Sequence, residues 1–341
     1  MVRQLAMVLM CVAGLTAPAS AQSPQPKFVD AETEQAILES LKWLANQQDK
    51  TTGAFGTQHE FTQNVGVTAL AGLAFLSSGS TPGEGPYGEV LNRITNYVLD
   101  CAAPNGFIIE PNTQSQSPMY GHGFATTYLA EVYGMSEHPQ VRDKLKQAVK
   151  LIIASQNSEG GWRYFPTPDE ADISVTACQV IALRAARNAG ISVPKEVIDK
   201  AVAYINKCQN NDGGFRYRVL DAAESRFPRS AAAIVALYTA GAGDSATIER
   251  GLSYMMRHVP GPRTPKDLQY HYYAQYYAAQ AAWHAGGEHW TVWYPAARNE
   301  LMRTRVPGRG WSDPWVGDDF ATATALIALQ IPYDYVPILE R

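Results

Sequence analysis

Six polar residues occupy one shared position in the chain. Asn64, His122, Asp172, Arg226, His271 and Asp318 each lie four residues before Thr68, Thr126, Thr176, Ser230, Gln275 or Thr322, within or at the edge of a small-residue-rich stretch. Two carboxylates, two imidazoles and a guanidinium gathered at one place would make an acid/base site, because such neighbours tune one another's protonation. Asp172, His271 and Asp318 are the candidate catalytic groups, Asp172 first, and Asn64, His122 and Arg226 are candidate ligand contacts. Asp and Asn at helix starts also cap free N–H groups and complement the macrodipole, so capping alone is a sufficient account of Asp172 and Asp318. His122 and His271 do not fit that role, although a single histidine can be an ordinary hydrogen-bonded core residue.

Aromatic side chains cluster nearby. In LQYHYYAQYYAAQAAWHAGGEHWTVWYP (268–295), Tyr270, Tyr273 and Tyr277 fall on one helical stripe, His271 and Gln275 on a second, and Tyr272 and Tyr276 on a third. GWSDPWVGDDF (310–320) brings Trp311 and Trp315 together with Asp313, Asp318 and Asp319. Such residues can line an apolar or carbocation-stabilising cavity, stack on sugar rings, or simply fill a core. Tyr272, Tyr276 and Trp311 join the candidate ligand contacts. Paired carboxylates on opposite arcs of a barrel would suit glycoside hydrolysis, but nothing marks one acid and one base here.

These residues are positioned by a repeat. About six times the chain runs an amphipathic stretch, a Gln, a Gly-rich turn closed by an aromatic, and a more apolar stretch. The clearest copies are AVKLIIASQNSEGGWRY (148–164) and AVAYINKCQNNDGGFRY (201–217), in which Gln156 and Gln209 precede Trp162 and Phe215 by six positions. Aromatic landmarks at 55, 107, 162, 215 and 311 give steps of 52, 55, 53 and 96, the last being two steps of 48, so a fifth unit begins near Ile248. The first stretches carry apolar residues at three- and four-residue spacing, as in Val149, Ile152 and Ile153, which predicts helices with one buried stripe. The second stretches, such as VGVTALAGLAFL (65–76), are rich in small apolar residues on all sides, as an inner layer requires. Prolines and glycines fall between the stretches and scarcely within them. The last inner stretch is as apolar as the central ones, so no polar cap ends the array and the ring must close. The expected fold is all-α: an α/α toroid of about six helical hairpins with a central cavity.

Composition narrows the function. With 341 residues, 46% apolar and 18% charged, the chain can build one large core, and a repeat running through it argues for a single domain over 31–341. A net charge of −4 without a basic stripe argues against nucleic-acid binding. Arg3, the apolar run Leu5–Leu15 and Ala19-Ser20-Ala21 read as an export signal over 1–21, followed by a linker over 22–30, so a periplasmic or extracellular location is expected. No later run has the length of a membrane span. Cys101, Cys178 and Cys208 are expected to be unpaired core residues, with one disulfide as the alternative, and no CxxC or Cys/His spacing suggests zinc. No cofactor is expected, and the oligomeric state stays open.

The Gln-to-aromatic repeat with its Ala/Thr-rich helix resembles the repeats of squalene–hopene cyclases, oxidosqualene cyclases and protein prenyltransferase β subunits. That resemblance covers nearly the whole chain after the leader and implies an α/α toroid, an isoprenoid-like substrate and specific acid or zinc chemistry. The class II cyclase DxDD motif leads into a Thr-Ala helix; set on Thr176-Ala177, it places Asp172 at the first Asp but Ser174 at the protonating one and Val175 at the last. The zinc-binding Asp-x-Cys of the prenyltransferases would fall in RFPRSAAAIVA (226–236), which has neither residue. The Cys-Gly-Glu-Gln of thioester toroids is also missing. The resemblance therefore implies the scaffold without its best-known chemistry, and the expected partner is an apolar small molecule or a peptide. A non-catalytic toroid binding lipid, peptide or glycan, or a carbohydrate-active α/α barrel, are the alternatives.

Overall fold

A computed structural model describes residues 28–111, 114–242, 246–262, 264 and 269–339. The expected signal segment, 1–21, and all but the end of the linker lie outside the described residues.

Twelve α-helices and no strand occur among the described residues, in alternating outer and inner positions: α1 (Ala31–Gln47), α2 (Val65–Leu76), α3 (Gly88–Asp100), α4 (Met119–Tyr133), α5 (Val141–Ala154), α6 (Ile173–Asn188), α7 (Lys195–Lys207), α8 (Phe227–Thr239), α9 (Ala246–Met256), α10 (His271–Ala285), α11 (Gly287–Thr304) and α12 (Asp318–Gln330). The two layers differ as their sequences demand. α5 buries only Val141, Leu145, Ala148, Val149 and Ile152, one stripe facing inward. Every residue of α2 is buried, because small side chains let it be surrounded. Each even-numbered helix packs on the next, from α2 through α12, and α12 packs back on α2. The ring is closed. Gln330 of α12 donates to the Ala74 carbonyl of α2 at 3.1 Å across the joint, while Arg305 reaches Glu39 at 2.6 Å and holds the outer layer together there.

The repeat signature works as a set of staples. Gln48, Gln156 and Gln209 each donate from Nε2 to the carbonyl of a glycine in their own turn, Gly53, Gly160 or Gly213, at 2.8–3.0 Å. The same nitrogen reaches a first-turn carbonyl of the next outer helix, Val90, Val197 or Thr247, at 2.8–3.1 Å. The aromatic then drops into the core, and its backbone N–H is received by a hydroxyl of the following inner helix. Thr68 accepts from Phe55, Thr176 from Trp162, Ser230 from Phe215 and Thr322 from Trp311, at 2.9–3.0 Å. The indoles of Trp162 and Trp311 reach back to carbonyls of their own outer helices, Ile152 and Leu301. A buried N–H without an acceptor is costly, so Thr176→Val should destabilise the protein by about 1–3 kcal/mol in urea denaturation. Thr127→Val removes only a hydroxyl that bonds its own helix, at the Gly123 carbonyl, and should cost less than about 1 kcal/mol.

One local expectation is corrected. In the second repeat the landmark is Ile108, not Phe107: Ile108 is fully buried, bridges to Ala102 as Phe215 bridges to Gln209, and lies two residues after Gly106 as Phe215 does after Gly213. Hydrophobic burial defines that slot, and an aliphatic side chain satisfies it. α11 runs through Pro295, one of the few prolines within a helical stretch. Cys101, Cys178 and Cys208 are buried and unpaired.

Candidate functional site

The inner helices all begin at the same end of the ring, and their first turns enclose a cavity of about 510 Å³. The repeat dictates which residues face it. A residue four places before the Thr/Ser position is rotated only about 40° from it, whereas one two places before is rotated about 200°. The Thr/Ser hydroxyls point outward to the repeat turns, so positions four earlier share that outward side and positions two earlier face the ring's interior. These inward positions are Gly66, Phe124, Ser174, Pro228, Tyr273 and Phe320, and all six line the cavity. Val67, Leu70, Phe61 and Val316 extend its apolar wall, and Tyr270 and Trp315, half exposed, stand at the mouth.

The six outward positions fare differently. Asn64 and Arg226 line the cavity; Asn64 caps α2 through Gly66 and Val67, and Arg226 pairs with Glu224 at 2.9 Å. His122 is buried in α4, where Nδ1 accepts from the Ile108 N–H at 3.1 Å and burial pushes its pKa down to about 4, so it is neutral. His271 lies between α10 and α11 with Nε2 3.2 Å from buried Glu300. Asp318 is held outside the cavity by Arg309 at 2.5 Å and by the Ser312 hydroxyl at 2.7 Å. Tyr272 and Tyr276 are buried in the ring wall outside the cavity lining, and Trp311 is the indole staple described above. The structure thus brings Asn64 and Arg226 to the cavity and keeps the other outward residues apart from it.

Asp172 sits just behind the lining. Its Oδ1 accepts from the Ser174 and Val175 N–H groups at 2.9 Å, capping α6, while Oδ2 is buried without a hydrogen bond. Burial pushes its carboxyl up to about 6, against the opposing influence of the two backbone donors, Arg163 and the Tyr217 hydroxyl. In front of it stand Ser174, Tyr120, Tyr164, Tyr217 and Tyr273, all cavity-lining. The Tyr164 and Tyr217 hydroxyls are hydrogen-bonded to each other, and the Tyr273 hydroxyl is buried with no partner. Each paired tyrosine is pinned by its backbone: the Tyr164 carbonyl accepts from Met119 N–H and the Tyr217 carbonyl from Ile173 N–H, the starts of α4 and α6.

Sequence reasoning missed a further repeat slot. The residue two places after each turn landmark is Glu110, Tyr164, Tyr217 or Asp313 in the second, third, fourth and last units, and all four line the cavity. Counting forward from the landmark, with Ile108 in place of Phe107, finds them. Glu110 receives the Val65 N–H at 2.8 Å, the role that a carbonyl plays in the tyrosine units. Asp313 receives Trp315 and Val316 at 2.8 Å. Among the described residues no group of three or more His, Cys, Asp or Glu is placed to hold a metal ion, and no helix is long and apolar enough to cross a membrane.

Residues 123–281 match the family model of the squalene-hopene cyclase C-terminal domain. No curated protein matches the chain. Among solved structures, the type II terpene cyclase MstE from Scytonema, in complex with geranylgeranyl dihydroxybenzoate, is 16% identical with a TM-score of 0.62, covering 89% of this chain and 98% of its own. Cellobiose 2-epimerase from Bacillus thermoamylovorans is 13% identical with a TM-score of 0.64, covering 88% and 98%. The GH76A α-1,6-mannanase of Salegentibacter is 10% identical with a TM-score of 0.61, covering 87% and 98%. At these identities the structures show a shared fold and leave the chemistry to the site. The ring closed by α12 on α2 makes this protein an α/α toroid, and its central repeats are similar to the squalene-hopene cyclase C-terminal domain.

Proposed function

We propose that the cavity binds an apolar, isoprenoid-like small molecule, and that binding rather than alkene protonation is its primary task. The observation that carries this reading is the inward ring itself: glycine, proline, two phenylalanines, a tyrosine and a serine. A volume of about 510 Å³ whose inward ring is mostly apolar suits an apolar small molecule, with Glu60, Glu110, Arg226, Arg229 and Asp313 adding charge to the wall. The slot that would hold a protonating Asp holds Ser174. The carboxyl nearest to it, Asp172, is a weak acid at about 6, ill suited to protonating an unactivated alkene. Milder proton exchange with an oxygen-bearing substrate is within its reach. The leader read at 1–21 supports action outside the cytoplasm.

A carbohydrate reading draws on Glu110 and Asp313, two carboxylates in the same cavity. Both commit an oxygen to backbone N–H groups, which fits turn-building better than acid/base catalysis. Purified protein extracted with organic solvent is expected to release an apolar molecule detected by mass spectrometry at close to one per chain. Release of nothing from folded protein, with binding of α-1,6-mannotriose instead, would transfer the assignment to sugars.

A further inference from the structure

The charged residues of the cavity wall are sorted by sign around the ring. Each even-numbered helix packs on the next and α12 on α2, so the six units stand around the mouth in chain order and the fourth faces the first. Among the described residues, the lining cations are Arg226 and Arg229, both at the start of α8 in the fourth unit. The lining carboxylates are Glu60 before α2, Glu110 before α4 and Asp313 before α12, in the first, second and sixth units. Those three units are contiguous and centred opposite α8. The third and fifth units lie between the two sets and offer hydroxyl side chains in place of charges: Tyr164 and Ser174 on one side, Tyr270 and Tyr273 on the other. The cavity therefore has a positive wall facing a negative one.

Each wall keeps its charge after its bonds within the protein are counted. Glu224 lies 2.9 Å from Arg226 and 3.9 Å from Arg229, a single carboxylate shared by two guanidiniums. Arg229 is pinned in place. Its Nε donates to the Phe215 carbonyl at 2.9 Å, its Nη2 donates to the Glu224 carbonyl, and its guanidinium lies 5.8 Å from the centre of the Tyr217 ring. The helix it begins has no side-chain cap, so the positive end of the macrodipole adds to the arginines, whereas α2 and α6 begin with the capping side chains of Asn64 and Asp172. On the facing wall, Glu110 accepts the Val65 N–H at Oε1, and Asp313 accepts two turn N–H groups at Oδ1. Such bonds orient a carboxylate and leave its charge in place. Trp315, two residues after Asp313 and half exposed at the mouth, adds an indole to this wall, and indoles attract cations.

We propose that the cavity selects a linear zwitterion: an apolar chain with a carboxylate at one end, received by Arg226 and Arg229, and an ammonium at the other, received by Asp313, Glu110 and Glu60. Either end on the wrong wall meets like charge, so the ligand binds in one orientation. Its apolar middle crosses the inward ring, over Phe124 and Phe320. A round cavity of about 510 Å³ is roughly 10 Å across, and three extended residues, or an apolar chain with as many chain atoms, span about 10–11 Å. A short apolar peptide with free termini and an amino-terminated fatty acid share this chemistry.

The proposal rests on the cavity being a site for an apolar small molecule, and calorimetric titrations with matched probes separate the two claims. Geraniol is the uncharged probe, octanoate and octylamine carry one charge each, and 8-aminooctanoate carries both, with as many chain atoms as the backbone of trileucine, the peptide probe. The native protein should bind 8-aminooctanoate at least about tenfold tighter than octanoate or octylamine, as befits one further charge-assisted hydrogen bond, and salt should shrink the preference. Arg226→Gln should weaken octanoate and 8-aminooctanoate about tenfold without weakening octylamine. Asp313→Asn, which keeps an acceptor for the turn N–H groups, should weaken octylamine and 8-aminooctanoate without weakening octanoate. Both variants should keep native helicity by circular dichroism. Tighter binding of trileucine than of 8-aminooctanoate assigns the ligand to peptides, and the reverse order assigns it to amino-terminated fatty acids. Geraniol binding, with 8-aminooctanoate bound no tighter than the singly charged probes or with both variants weakening every probe equally, overturns the zwitterion and keeps the apolar site. Zwitterion binding without geraniol binding keeps the charged walls and overturns the isoprenoid-like reading; no binding of any probe overturns both.

Discussion

Asp172→Asn is expected to stabilise the protein at pH 8 by about 3 kcal/mol relative to the native chain, with the gain vanishing below about pH 4. The native carboxyl is raised from an ordinary 3.8 to about 6 because it is buried, so the folded state holds its proton more tightly than the unfolded state. Below pH 4 both states are protonated and burial costs no charge. As the pH rises through that window the unfolded chain ionises first, and folding must then bury a carboxylate or keep a proton that solvent favours removing. The penalty is complete above about pH 6. Asn caps α6 as well as Asp does, so the substitution removes the charge while keeping the cap. Urea denaturation of both proteins at pH 4 and pH 8 measures this, since other titrating groups cancel in the difference. An Asn variant less stable than the native protein at pH 8 would show that the carboxylate is well compensated where it lies.

The second large effect comes from the turns. Gly160 has φ +99°, and a Cβ there would be pressed onto the Lys200 carbonyl oxygen of the next outer helix. Gly53, Gly106 and Gly213 make the same approach to Arg93, Gln147 and Arg250. Backbone strain and a clash with a helix carbonyl add, so Gly160→Ala should cost about 3–5 kcal/mol. Gly308, in the last repeat, has φ +69° but open space around its Cβ position. Gly308→Ala should therefore cost only the strain, about 1–2 kcal/mol. Thermal or urea denaturation of the pair separates conformation from close approach. Equal costs at the two positions would mean that the glycines serve φ alone and that the outer helices are not held by this contact.

The contrast between legible and illegible features follows from which forces leave a linear trace. Helix period, small-residue inner stretches and the apolar last helix all record burial, and they led to twelve helices and a closed ring. The start of α4 was less clear, because Met119 to Gly123 lack the Ala/Thr signature. The shared polar position was legible too, but its direction was not: alignment on the Thr/Ser residues finds equivalent sites without saying which way they face. Only the hydrogen bonds from the turn N–H groups to Thr68, Thr176, Ser230 and Thr322 show that those hydroxyls point outward. From that single fact, helix geometry moves the cavity from Asp172, His271 and Asp318 to Ser174, Tyr273 and Phe320. Ile108 was masked by its neighbour Phe107 because the slot was read as aromatic when it is only buried. Glu110, Tyr164, Tyr217 and Asp313 carry no motif of their own and become visible once the landmarks are correctly in register.

The inward ring is the centre of this account, and titration of geranylgeraniol into native protein and into a Leu70→Trp variant tests it most directly. Leu70 lies one turn deeper than Gly66 on the cavity wall, so a bulkier side chain there fills the space a chain-like ligand needs. One molecule per native chain, and binding at least about tenfold weaker in a Leu70→Trp protein of unchanged helicity, is the expected result. Undiminished binding by the variant, or none by the native protein, would contradict it.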